Sequence, residues 1–119
     1  MRTNAAVALL LEDEPLISMD LEQTLGSAGF DVTTVMSCEE AKEWLEICRP
    51  DIVIVDIMLR DGPSDEVVEC LVEDEIPFIV HSGDHPNQHV GTPFAHGRWV
   101  SKHADTDELI DAALMLLAT

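Results

Sequence analysis

Short unbroken apolar runs alternate along the chain with longer stretches whose apolar residues recur at helical spacing. Ala6 to Leu11 and Ile52 to Val55 carry no polar position on either face. Strands of a parallel sheet show that pattern when helices cover both sides. Between them, Ile17, Leu21, Leu25 and Ala28 make one helical stripe that Pro15 opens and Gly29 closes, with Phe30 set for a C-cap contact. Asp31 to Met36 is β-branched and weakly alternating, which predicts a second strand, at an edge. Ser37 with Glu40 three residues on is a capping-box pair, and Ala41, Trp44, Leu45 and Cys48 are the apolar face of the helix it opens.

After the Ile52–Val55 run, Pro63-Ser64-Asp65-Glu66 predicts a helix start, with Val67, Val68, Leu71 and Val72 toward the core. Ile76 to Val80 predicts a fourth strand and Arg98 to Ser101 a short fifth. The stretch 84–97 holds Pro86, Gly91, Pro93 and Gly97, so it predicts a loop with at most one or two turns. Asp105 with Glu108 predicts the cap of a last helix, with Leu109, Ile110, Ala113, Leu114 and Leu117 on one face. This alternation implies an α/β fold, a doubly wound five-stranded parallel sheet of order 2-1-3-4-5 (flavodoxin-like), its fourth helix short or replaced by a loop. The length suits one core, and no stretch reads as a linker, so 1–119 is expected to be a single domain without an effector domain.

Charge narrows the partners. With 24 acidic against 6 basic residues the net charge is −18, a field that repels nucleic acid and anionic membrane and favours basic surfaces. Most of these acids are expected to be solvated helix faces. No apolar run approaches a membrane span, and the amino terminus has no signal-peptide layout, so a cytoplasmic location is expected. Cys38, Cys48 and Cys70 lack CxxC spacing and are expected to be reduced, structural thiols.

Chemistry gathers at the strand ends. Asp56 closes the third run, and by itself it fits a metal ligand, a nucleophile or a solvated strand-end residue. Glu12 and Asp13 follow the first strand, Ser82 the fourth and Lys102 the fifth. In the 2-1-3-4-5 order the first and third strands flank the ligand crevice, so three carboxylates converge there. Their repulsion calls for a cation, and Mg²⁺ (or Mn²⁺) takes hard oxygen ligands while keeping room for a phosphate. A hydroxyl and an ammonium across the crevice suit the remaining phosphoryl oxygens. The chemistry such a set performs is phosphoryl transfer onto a carboxylate.

On Glu12-Asp13, Asp56, Ser82-Gly83 and Lys102, the chain resembles the receiver domain of two-component response regulators over essentially its whole length. The resemblance implies that Asp56 is the phosphoacceptor, with Ser82 and Lys102 assisting. It implies a metal held by Asp13, Asp56, the backbone carbonyl of Met58, and Glu12, often through water. Trp99, three before the lysine, matches a switching aromatic. The phosphoryl donor would be a sensor histidine kinase or phosphotransfer protein. Output would pass by conformational change to a downstream protein, unless the domain is a relay or phosphate sink. Pro77-Phe78-Ile79-Val80-His81-Ser82-Gly83 is similar to the Pro-Phe-x-Phe-Ala-Thr-Gly segment of "FAT GUY" single-domain receivers, which tend to replace the fourth helix with a loop. Val80, His81 and Ser82 depart from its usual Phe, Ala and Thr.

His103 stands where receivers usually carry a proline after the lysine, often behind a cis peptide. Such a bond before a non-proline residue costs about 2.5–4 kcal/mol, which leaves the approach of Lys102 open. His103 therefore supports the main alternative, a degenerate receiver that binds partners without phosphorylation. An aspartyl-nucleophile phosphatase wants a second carboxylate where Met58 stands. A cofactor phosphate would meet repulsion from Glu12-Asp13-Glu14. His81, His85 and His89 suggest zinc only weakly, since Pro86 interrupts them and no cysteine follows at ligand spacing; solvated loop histidines are expected.

Overall fold

The two all-apolar runs become adjacent inner strands. In the computed structural model, which describes residues 5–118, β1 (Val7–Leu11) pairs in parallel with β3 (Ile52–Val55), Ala8 opposite Ile52 and Leu11 opposite Val55. β2 (Asp31–Val35) lies outside β1, and β4 (Phe78–Ser82) and β5 (Arg98–Ser101) extend the other side. Numbering these five strands alone, the order is β2-β1-β3-β4-β5, all parallel, the flavodoxin-like arrangement expected.

Alternate side chains of each strand leave opposite faces, so the runs feed two cores. Leu9, Leu11, Val53, Val55, Phe78 and Val80 meet α2 (Cys38–Ile47) and α3 (Asp65–Glu73) on one face. Ala8, Leu10, Ile52, Ile54, Ile79 and Val100 meet α1 (Pro15–Ser27) and α4 (Thr106–Leu117) on the other. No helix among the described residues is long and apolar enough to cross a membrane.

Local signals set the helix ends. α1 stops in a Schellman turn: Phe30 N–H donates to Leu25 O (3.1 Å) and Gly29 N–H to Gly26 O (3.1 Å), with Gly29 at φ 101°. At α2, Ser37 Oγ accepts from Glu40 N–H (3.1 Å) while the Glu40 carboxylate takes the Met36 N–H (3.2 Å). Asp105 occupies the N-cap of α4, but its side chain makes no cap hydrogen bond; its carbonyl takes the Glu108 N–H (3.0 Å).

Several positions differ from the pattern. β4 begins at Phe78 rather than Ile76, because Pro77 has no N–H and joins the sheet only as acceptor for Val53 (3.1 Å). It ends at Ser82, so His81 and Ser82 lie inside a strand, opposite Val100 and Ser101. Ala28 and Cys48 are exposed at helix C-caps, and Leu114 is 48% exposed while Ala112 fills the buried position on α4.

The segment from 84 to 97 forms two 3₁₀ turns, Pro86–His89 and Pro93–His96, in place of a regular helix. Phe94 from the second turn plugs the core on the α2–α3 face. Gly97, which follows that turn, has no space for a side chain: a Cβ there would stand 2.3 Å from the buried ring of Phe78. Gly97→Ala is expected to cost about 1–3 kcal/mol through overpacking, read as a lower urea midpoint with unchanged slope.

Candidate functional site

Because β1 and β3 are neighbours, their carboxyl ends release acidic residues side by side. Glu12 N–H donates to Val35 O (3.1 Å) and Asp56 N–H to Leu11 O (3.1 Å), which fixes where each chain leaves the sheet. One carboxylate oxygen from each of Glu12, Asp13 and Asp56 falls within 4.8 Å of the other two. Lys102 follows β5, and its N–H donates to Ser82 O (3.0 Å). Its ammonium crosses β4 to lie 2.8 Å from Asp56 Oδ2 and 3.4 Å from Glu12 Oε1. The Lys102–His103 peptide is trans.

Glu12 is 1% exposed, and burial raises its carboxyl pKa. The Glu14 N–H (3.2 Å) and Lys102 pull it back down, and Asp56 pushes it further up. Burial lowers the ammonium of Lys102, but Asp56 and then Glu12 outweigh that and leave its pKa above the ordinary value. With the three acids ionised, three negative charges face one ammonium, leaving two uncompensated.

The remaining expected residues lie on neighbouring strands and loops. Ser82 is buried, and its Oγ accepts from Asp84 N–H (2.9 Å); among the described residues it makes no bond to Asp56. Met58 opens a two-residue antiparallel ladder, Met58–Leu59 with Gly62–Pro63, and its partner Pro63 has no N–H to occupy the Met58 carbonyl. Trp99 is half-buried, and its Nε1–H donates to Phe94 O (3.1 Å).

The histidines and cysteines are not alike. His81 is buried, and its Nδ1 has no hydrogen-bond partner among the described residues. Burial, then Lys102, hold its pKa below the ordinary value against the opposite pull of Asp56. His85 is exposed as expected, its Nδ1 accepting from Asn87 N–H (3.3 Å), whereas His89 is half-buried and pairs with Asp84 at 3.0 Å. Among the described residues only Glu12, Asp13 and Asp56 form a potential metal-binding group. Cys48 and Cys70 are exposed; Cys38 alone has a structural setting, where burial, then Asp61, push its thiol up to about 11.

Two residues escaped the pattern. Ser64 reads as a helix cap, yet it is 0% exposed and its Oγ donates to Asp56 O (2.7 Å), with Ile57 O at 3.1 Å. It pins the peptide that carries Asp56. Asp61 accepts the Cys38 N–H (2.8 Å) and Glu39 N–H (3.1 Å), tying the same loop to the start of α2. These bonds, Cys38 first, hold its carboxyl below the usual range. A polar-then-acidic turn was the only sign of either residue in the sequence.

Fold and crevice together define a doubly wound α/β domain with an acidic strand-end site opposed by a lysine. The family profile of the response regulator receiver domain matches residues 8–114, and the chain belongs to that family. The phyllosphere-induced regulator PhyR of Methylorubrum extorquens is 40% identical over 79 residues, 63% of this chain and 30% of that protein. Transcriptional regulatory protein PdtaR of Mycobacterium tuberculosis is 40% identical over 75 residues, 60% of this chain and 36% of that protein. Such matches span between 22% and 36% of the curated relatives' own lengths. A response regulator receiver protein from Sinorhizobium medicae superposes with TM-score 0.89 at 29% identity, covering 98% of this chain and 97% of that one. The PhyR receiver domain of Erythrobacter litoralis gives 0.82 at 27%, covering 96% and 91%.

Ser64→Ala is expected to lose about 1–3 kcal/mol, because the Asp56 carbonyl loses its hydroxyl donor while Ile57 O keeps the Ser64 N–H; denaturant titration checks it. His81 gives a pH signature. A histidine whose folded pKa is depressed contributes stability in full above its unfolded pKa of about 6.5, and that contribution falls as pH drops through it toward the folded pKa. Between about pH 7.5 and about pH 5.5, the native chain is expected to lose more stability than His81→Phe, read as the difference between their urea midpoints.

Proposed function

We propose that this receiver accepts a phosphoryl group on Asp56 in a reaction dependent on Mg²⁺ (or Mn²⁺), and signals the change to a protein partner. The observation that carries the reading is the Lys102 ammonium 2.8 Å from Asp56 Oδ2, with Glu12 and Asp13 converging on the same carboxylate. Hard oxygen donors and two uncompensated negative charges fit a divalent cation. Asp13, Asp56, the Met58 carbonyl and Glu12, directly or through water, would hold it. When bound, it supplies charge neutralisation at the transferring oxygens.

The rest falls to the chain's own groups. An Asp56 carboxylate oxygen attacks phosphorus, forming an acyl phosphate as the bond from phosphorus to the donor breaks; a phosphohistidine of a sensor histidine kinase or phosphotransfer protein is the donor. Lys102 follows the charge from the carboxylate onto the phosphoryl oxygens. Ser82, whose Oγ proton is not engaged by Asp84 N–H, turns to donate to a phosphoryl oxygen. Ser64 keeps the Asp56 backbone still while the side chain reacts. The domain is a phosphoacceptor rather than an enzyme acting on a separate substrate. Its net charge of −18 directs it to basic protein surfaces rather than nucleic acid or membrane, in the cytoplasm.

The binding-only alternative leans on His103, but the lysine before it reaches Asp56 through a trans peptide. Intact-protein mass after incubation with a small phosphodonor and Mg²⁺ tests the proposal. One phosphoryl adduct is expected, absent with chelator and absent in Asp56→Asn. Lys102→Ala is expected to slow its formation on the order of 10²-fold. No adduct from the donor, nor from a panel of phosphorylated histidine kinases, would establish the binding-only reading instead.

A further inference from the structure

One connected set of contacts leads away from the carboxylate crevice through residues that have no part in the transfer themselves. It starts at Ser82, whose Oγ accepts from Asp84 N–H at 2.9 Å. The Asp84 carboxylate lies 3.0 Å from His89 Nε2, and since a carboxylate only accepts, the ring donates. The His89 ring then packs against Trp99, centroids 5.5 Å apart and planes tilted by 33°. Its edge meets Phe94 at 5.7 Å. Trp99 closes the circuit by donating from Nε1 to Phe94 O at 3.1 Å.

This circuit is held in place. Phe94 is 1% exposed and anchored in the core, so His89 and Trp99 rest on a fixed wall. Thr92 Oγ1 donates to His89 O at 2.6 Å, which sets the turn that presents the ring. The His89 side chain is 18% exposed, a low value for a residue in an irregular surface segment. Every link from Ser82 to Trp99 is therefore a direct contact.

We propose that Asp84 and His89 are positioning residues that hold Ser82 in its unphosphorylated pose and couple it to Trp99. The inference rests on the acceptor reading of Asp56. Ser82 has no bond to Asp56 here, so engaging a phosphoryl oxygen requires its hydroxyl to turn. That turn gives up the Asp84 N–H, shifts the Gly83–Asp84 peptide, and opens the Asp84–His89 contact. Trp99 then loses its ring partner. Coupling is reciprocal: whatever stabilises the His89–Trp99 stack disfavours the phosphorylated arrangement, and removing the stack favours it.

The test uses beryllofluoride with Mg²⁺ as a mimic of the aspartyl phosphate, in a Trp44→Phe background that leaves Trp99 as the single indole. Two readouts are followed: the ¹⁹F signal of bound mimic, which gives affinity, and the Trp99 emission. In the reference chain, saturation is expected to change the emission. In His89→Ala the free protein already shows the changed emission, the mimic adds little, and its affinity rises about fivefold or more. Asp84→Asn, which keeps the shape but weakens the acceptor, moves affinity in the same direction, and it decides the matter should His89→Ala fail to fold. Native affinity with a native Trp99 response in both variants overturns the coupling while leaving the acceptor reading intact. No bound ¹⁹F signal in the reference chain overturns both.

Discussion

Three carboxylates confined within 4.8 Å repel one another, and the Lys102 ammonium is what lets these strand ends meet. Two unit charges that close interact with an energy set by the local dielectric, and burial of Glu12 makes that dielectric low. Both pKa values rise, for different reasons: at Glu12 burial outweighs the pull of the Glu14 N–H and Lys102, and at Lys102 the attraction of Asp56 and Glu12 outweighs burial. The site is thus under electrostatic tension that one ammonium only partly relieves. The fold accepts this because the backbone beneath is not free to move away. Glu12 and Asp56 leave adjacent parallel strands whose ladder sets their separation.

Around that centre the loops are tied down unequally. On one side, Ser64 and Asp61 tie the stretch after β3 to its own backbone and to α2. Asp56 therefore sits on a braced support. On the other side, the segment between β4 and β5 is built from two 3₁₀ turns, with a single buried anchor, Phe94. Segments with few buried apolar contacts open at lower cost than core strands. A braced Asp56 beside a yielding segment is the arrangement the proposed switch would require, since chemistry needs fixed atoms and signalling needs movable ones.

Much of this was legible beforehand. The apolar runs marked β1 and β3 because strands covered on both faces tolerate no polar residue, and the prolines at 86 and 93 excluded a regular helix. Errors arose where one local rule met a long-range partner. Ile76 counted as strand by composition, but Pro77 offers no N–H to the ladder. Leu114 fitted the helical stripe, yet the stripe's centre falls on Leu109, Ala112 and Ala113. Ser64 does hold the N-cap position of α3, as the helix start there predicts, but its hydroxyl turns inward to the Asp56 carbonyl rather than capping the helix.

The sequence by itself determined the order of elements and the residue types waiting at each strand end, because periodicity and turn chemistry act over a few neighbouring residues. It could not set how those ends meet. Asp56 and Lys102 are 46 residues apart, and only the strand order brings an ammonium across β4 to that carboxylate. The trans peptide before His103, the inward turn of Ser64, and the stacking of His89 on Trp99 were likewise decided by tertiary packing. Each depends on what lies across the crevice or loop, and no local pattern along the chain encodes a neighbour that distant.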